Sequence, residues 1–390
     1  MQVFAFTLMP WPYLPENYRE QYDSAWVTFP NSHFDPVKGH ALYTRYIDDL
    51  VYAAEAGFDG LGVNEHHQTA YGLMPSPNLM AGMLVQRTLG MTTRIAILGN
   101  ALPLRDHPLR IAEEIAMLDV ISGGRIISGF VRGIGAEYPT FGLNPAHSRE
   151  RFHEAHDLIV KAWTQPGPFP WVGKHYNFRY VNPWPRPFQQ PHPPIWAPSQ
   201  GSGETIEWAA QHGYTYCQTY SPLAAIAGFF DQYRAVARES GYEAGPQHLA
   251  WSVPVYVGRT DEEAREQAWP HLSLFVNDLL RMPPEMFLPP NYTSEASMAK
   301  IAAAKKSIIG KRQTMEDMDA AALAIVGSPE TVLRKIEAAH KILGFGNLVC
   351  IFQFGSMPQD EARANIDRLN EYVLPRVREF APITPEPAAV

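Results

Sequence analysis

The sequence predicts a (β/α)8 barrel, the TIM-barrel fold, with proline-rich loop insertions. It reads as a single barrel domain over residues 1–390, with insertions at about 165–198 and 270–318. Eight short apolar runs read as strands, and a helical segment follows most of them. One run ends on Glu65-His66-His67, which puts proton-handling groups at a strand's C-terminal end, the functional end of such a barrel. A chain of 390 residues with 46% hydrophobic and 18% charged residues supplies a large core, and no repeat of about 20–50 residues divides it. A doubly wound sheet is the alternative architecture.

The elements follow in order. Residues 3–8 form the first strand, and helical periodicity over 40–56 stops at Gly57. Residues 58–63 are the next strand, 78–89 a helix and 93–99 a strand. Residues 110–121 are helical, closed by Ser122-Gly123-Gly124, a glycine-rich C-terminal stop. Residues 125–131 are the fourth strand and 148–163 a helix. After the proline-rich stretch come a strand at 194–197, a helix over 205–212 capped by Gly213, a strand at 214–219 and a helix over 223–240. Residues 249–257 are a strand, and 261–269 start a helix that gives way to an irregular region to about Met318. Ser328-Pro329-Glu330 caps a helix running to Leu343. The last strand is 347–354, the last helix 360–380, and the tail after Pro382 is expected to be loose.

Composition narrows the function. The formal net charge is −8 and no basic stripe appears, which argues against nucleic acid as a partner. Cys217 and Cys350 are the two cysteines. They give no disulfide framework and suit a reducing compartment. Neither a leader pattern nor a membrane-length apolar run is present, so the expected setting is cytoplasmic, with no membrane association. The 35 prolines concentrate at 165–198 and 282–290, in long loops of the kind that build lids or walls.

Several residues carry chemistry. Arg132 follows a strand and precedes glycine, and Arg149 opens a helix. Ser202, Gly203 and Thr205 sit where a helix begins, with free N–H groups and the positive dipole end. Two guanidiniums and a helix N-terminus suit a phosphate ester. Surface pairing of the arginines with Glu137 or Glu150 is the structural alternative. At the end of the third strand, Gly99 permits close approach of backbone to a flat ring, and the Asn100 amide can both donate and accept. His66 can move a proton near neutral pH, while Glu65 orients its neighbours. His67 is either a wall or a core residue. A metal site is not expected, because Glu65, His66 and His67 are too closely spaced along a strand to wrap one ion. Gly133-Ile134-Gly135 lacks the third glycine of a dinucleotide fingerprint, its place being taken by Tyr138.

Together the Glu65-His66-His67 strand, His107–Arg110 with Leu118–Arg125, Val131-Arg132-Gly133 with Phe141-Gly142 and Ser148-Arg149, and Ser202–Gln211 resemble the bacterial luciferase-like, flavin-dependent monooxygenases. The resemblance is strongest over residues 58–215. It implies a two-component enzyme that uses reduced FMN and O2 to oxygenate a small apolar organic substrate: an aldehyde, ketone, terpenoid or aromatic. It implies His66 as the active-site histidine, Arg132, Arg149, Ser202, Gly203 and Thr205 as holders of the FMN phosphate, and a cis peptide at Gly99-Asn100 beneath the flavin ring. Gly201 stands where the luciferases have a phosphate-loop glutamate, and Asn100 where they have alanine. Because no nicotinamide-binding motif is present, a separate NAD(P)H-dependent flavin reductase must supply reduced FMN. A homodimer is expected from the resemblance and from the helix at 78–89, which carries Leu79, Met80, Met83, Leu84 and Val85 around much of its circumference. An F420-dependent oxidoreductase of the same superfamily and a non-catalytic flavin-binding homologue are the competing readings. Aromatic and proline-rich loops at 10–13, 169–171 and 282–292 are expected to wall the substrate pocket.

Overall fold

The computed structural model describes residues 1–304 and 311–380. The expected loose tail, and residues 305–310 of the expected irregular region, lie outside the described residues.

Eleven strands are present among the described residues: β1 Gln2–Thr7, β2 Gly60–Val63, β3 Arg94–Ala101, β4 Ile126–Val131, β5 Phe169–Val172, β6 Asn177–Val181, β7 Ile195–Ser199, β8 Thr215–Thr219, β9 Leu249–Val257, β10 Ile325–Gly327 and β11 Asn347–Gln353. Eight close a parallel barrel in the order β1-β2-β3-β4-β7-β8-β9-β11, with β8 pairing to β9 and β11 back to β1. These eight are the strands expected from the sequence. Their runs are apolar on both faces because a parallel barrel is covered by helices outside and filled by side chains inside. Phe4 on β1 meets Trp196 on β7 edge to face, ring centroids 5.0 Å apart. The two strands are not neighbours, so this contact spans the interior. Gly60 makes room for it, since a Cβ there would lie 2.3 Å from the Phe4 ring.

The helices lie close to their expected places. Pro36–Glu55 begins four residues earlier than its periodicity suggests, because Asp35 accepts from the N–H groups of Val37 and Lys38 and Pro36 occupies the first turn. Pro108–Ser122 ends on Gly123 at φ +68°, as the double glycine predicts. Asp261–Leu274 runs through Pro270 and widens into a π-helical turn at Phe275–Leu279.

The insertions carry structure the sequence did not announce. Residues 165–198 contain the antiparallel β5–β6 hairpin. Residues 270–318 contain short helices at Pro284–Phe287, Glu295–Ala304 and Met315–Ala320. β10, three residues long, lies beside the C-terminal end of β9. No helix among the described residues is long and apolar enough to cross a membrane.

Candidate active site

A cavity opens at the C-terminal ends of the barrel strands. Its walls come from Phe6 on β1 and Leu8 after it, Asn64 to His66 after β2, Phe130 and Val131 on β4 with Arg132 to Ile134 after it, Ser199 at the end of β7 with Gln200 and Ser202 after it, and Thr219 at the end of β8 with Tyr220 after it. The second insertion roofs it with Leu280, Phe287, Leu288 and Tyr292. Of the residues singled out from sequence, Glu65, His66, Arg132, Ser202 and Thr205 line this cavity. Gly99, Asn100, Arg149 and Gly203 are not among its lining residues.

His66 is oriented by a carboxylate, and that carboxylate is Glu137. His66 Nδ1 lies 3.3 Å from Glu137 Oε1. The same carboxylate accepts from the backbone of His67 at 3.1 Å and of Ile134 at 2.7 Å. Glu137 is 1% exposed, so it is no surface partner for an arginine. It opens the four-residue helix Glu137–Thr140, five residues past Arg132 and too short to show a period. Trp26 and Tyr71 set their rings edge-on to the His66 ring, with centroids at 5.0 and 5.2 Å.

Glu65 serves the neighbouring pair. Its carboxylate takes His67 Nε2 at 2.7 Å, Arg105 at 2.9 Å and the Ala101 N–H at 3.1 Å. Burial would raise its pKa, but the His67 hydrogen bond, the Arg105 charge and the Ala101 N–H outweigh it, and the carboxyl is held below its ordinary range. His67 is buried and belongs to this structural triad.

Gly99 has a packing reason to be small. A Cβ on it would lie 2.6 Å from the Gly129 carbonyl group, so the glycine lets β3 and β4 approach backbone to backbone. The cis peptide lies one residue earlier than expected, at Leu98–Gly99. The β3–β4 register shifts there, between Ile97 and Asn100. Asn100 is fully buried, and neither polar atom of its amide has a partner among the described residues. Asn64 Oδ1 is in the same state. Unpaired buried amides are uncommon and costly.

The arginines expected to hold an anion already have partners within the protein. Arg132 donates to Tyr292 O at 2.7 Å and Ser148 Oγ at 3.3 Å, and its guanidinium lies 4.4 Å from the centroid of the Tyr292 ring. It pairs with no carboxylate among the described residues. Arg149 pairs with Glu204 at 2.8 Å, and Glu150 pairs with Lys174 and His175. Glu204 lies in the first turn of the helix Gly203–Gln211 and also accepts from Ser202, Ser294 and Ser297. Partial burial would raise its pKa, but the two serines, its own N–H and Arg149 hold the carboxyl far below its ordinary value. Gly201 has φ +98°, and a Cβ there would meet the Phe229 ring at 2.5 Å, which explains why glutamate does not stand at that position.

The cavity, walled largely by apolar side chains with the His66–Glu137 pair among them, lies at the C-terminal end of the parallel barrel. The profile of the luciferase-like monooxygenase family matches residues 25–344, and the chain belongs to that family. It is similar to the alkanal monooxygenase alpha chain of the Kryptophanaron alfredi symbiont, 25% identical over 337 residues that cover 85% of this chain and 92% of the relative. In structure it is similar to the oxygenating constituent of 3,6-diketocamphane monooxygenase from the CAM plasmid of Pseudomonas putida, in complex with FMN. The TM-score is 0.72 at 20% identity, covering 96% of this chain and 98% of that one. It is also similar to an F420-dependent secondary alcohol dehydrogenase in complex with an F420-acetone adduct, with a TM-score of 0.66 at 15% identity over 97% and 99% of the two chains. At such identities the two structural likenesses carry the fold alone.

Proposed function

We propose that this chain is the oxygenase component of a two-component monooxygenase that uses reduced FMN and O2 to oxygenate a small apolar organic substrate. The observation that carries the reading is the His66–Glu137 pair, set at 3.3 Å beside an apolar cavity whose rim holds Arg132. The unpaired Oδ1 of Asn64 on the cavity wall and the carboxylate-free guanidinium of Arg132 fit a group with a polar ring edge and an anionic tail. Arg132, Ser202 and Thr205 would hold the phosphate, with Arg149 and Gly203 contributing from behind Glu204. When bound, reduced FMN supplies the electrons that activate O2.

The protein's own residues prepare the rest. Glu137, accepting at Nδ1, fixes the His66 tautomer and leaves Nε2 to take or give a proton. The roof of Leu280, Phe287 and Leu288 excludes water from that transfer. A separate NAD(P)H-dependent flavin reductase is the proposed partner, and the cytoplasm the proposed setting. The fold likeness to the F420-dependent dehydrogenase keeps deazaflavin as the competing cofactor. Anaerobic titration with reduced FMN and reduced F420 separates the two: FMN is expected to bind at least tenfold tighter, and preferential F420 binding would reject the FMN reading. A homologue that binds flavin without turnover is excluded by any product in a reductase-coupled screen of carbonyl and hydrocarbon substrates.

A further inference from the structure

Tyr71 and Tyr220 meet hydroxyl to hydroxyl at 2.9 Å, and both line the cavity that holds His66. Tyr220 follows β8 with φ +46°, a conformation that bulky L-residues rarely adopt and that clusters at functional sites. The turn around it is fixed by Gln218, whose Nε2 donates to Ser221 Oγ and to Thr219 O, each at 3.0 Å. Tyr71 is held independently. Its ring stacks between Trp26 and Phe275, with centroids at 4.8 and 5.9 Å. Trp26 in turn donates its indole N–H to Leu279 O at 3.0 Å.

The pair has one proton to spare. Each phenol carries one O–H, one of the two is consumed between them, and no acceptor among the described residues takes the other. Burial raises both phenols well above their ordinary value, so the hydroxyls stay protonated and act as donors. A charged ligand group would find no counter-ion in them, whereas an uncharged acceptor oxygen needs one donor and brings no proton of its own.

We propose that the Tyr71–Tyr220 hydroxyl pair determines substrate specificity by donating one hydrogen bond to an uncharged acceptor oxygen, such as a carbonyl, on an otherwise apolar molecule. The inference rests on the reading that this cavity takes an organic substrate beside its cofactor. The two phenols are specificity residues, and His66 remains the proton-transfer group.

The test uses acetophenone and ethylbenzene, which differ by the carbonyl oxygen, titrated calorimetrically into the full chain with and without oxidised FMN. One neutral hydrogen bond is worth about tenfold in affinity. The wild type is expected to bind acetophenone about tenfold tighter than ethylbenzene. Tyr71→Phe/Tyr220→Phe should bind the two equally, with ethylbenzene affinity unchanged as the check on folding. A wild-type ratio near one, or a preference that survives in the double variant, overturns the proposal. Loss of FMN affinity in the double variant, with no wild-type ketone preference, also overturns it, because the flavin then takes the proton. If the double variant does not fold, the infrared spectrum of bound acetophenone decides on the wild type. A carbonyl stretch lowered from its value in hexane supports the proposal, and an unshifted one overturns it. If the ketone preference holds without FMN and FMN does not bind, the cofactor reading fails and the specificity pair stands.

Discussion

At the scale of single residues, the site divides into pairs with different duties. Glu65 and His67 fasten the β2 end to Arg105 and Ala101, while Glu137 holds His66. His66 was legible because it closes an apolar strand. Glu137 was not, because a buried carboxylate that opens a four-residue helix looks in sequence like any surface acid. Glu137→Gln keeps the shape but weakens the hold on Nδ1, so coupled product formation should fall by about tenfold or more while reduced-FMN affinity stays within threefold. Parallel anaerobic titration and product assay check this, and unchanged coupling would remove Glu137 from the mechanism. Arg132→Ala should weaken reduced-FMN binding by about tenfold or more, a charge-assisted contact being worth roughly 1.5–3 kcal/mol. Its loss should exceed that of any single aromatic change in the roof. An unaltered dissociation constant would reject the phosphate role.

At the scale of elements, the strands were readable and the insertions were not. β9 matches its expected span residue for residue, because nine consecutive buried positions leave a run dominated by apolar residues and rich in valine. The β5–β6 hairpin hides among prolines, and β10 is too short to show a period. The second insertion shapes the site: Tyr292, Ser294 and Ser297 fasten onto Arg132 and Glu204. Glu204 would therefore compete with the proposed phosphate for Arg149 and for the helix N-terminus. Glu204→Gln removes that charge and should tighten reduced-FMN binding by about fivefold. Weaker binding in the same titration would show that the carboxylate builds the site instead of competing for it.

Buried histidines on and beside the helix Ser148–Thr164 also carry a pH dependence. On the helix Ser148–Thr164, His156 bridges Asp157 and Tyr214 at 2.9 Å each. Burial depresses His153, His156 and His192 below the ordinary imidazole value of 6.5. The unfolded chain then binds more protons than the folded one below about pH 6.5, so stability is present above that pH and is lost as pH falls toward the folded-state values. Urea unfolding at stepped pH should show this acid loss. His156→Gln should reduce the slope by up to one proton, about 1.4 kcal/mol per pH unit, and an unchanged slope would remove His156 from the linkage.

At the scale of the whole molecule, the barrel explains one half of the helix Pro77–Arg87 and leaves the other. Met80, Leu84 and Val85 are buried, but Leu79 is 63% and Met83 42% exposed. Beside them Met117, Val120 and Ile121 of Pro108–Ser122 are 46%, 44% and 51% exposed. Leu79, Met83 and Met117 line one surface depression, and we propose this exposed apolar face as a homodimer surface. Sedimentation at micromolar concentration should give twice the 43.8 kDa chain mass, and Leu79→Glu/Met83→Glu should give the monomer. A monomeric wild type would refute the assignment. What composition and periodicity made legible was the closed barrel and its functional end; substrate chemistry stayed hidden because Tyr71 and Tyr220 come together only in the folded cavity.

The most direct measurement is made on His66→Ala loaded with reduced FMN and mixed with oxygen in a single turnover, with the ratio of organic product to hydrogen peroxide read on the first substrate the screen turns over. FMN affinity is expected within threefold of wild type, with coupled product reduced by about 10²–10⁴-fold, the usual contribution of a positioned acid–base group, and the flavin's electrons released as peroxide. Coupled product within about threefold of wild type, well short of that acid–base contribution, together with a lowered melting temperature, would contradict the proposed role and make His66 a packing residue.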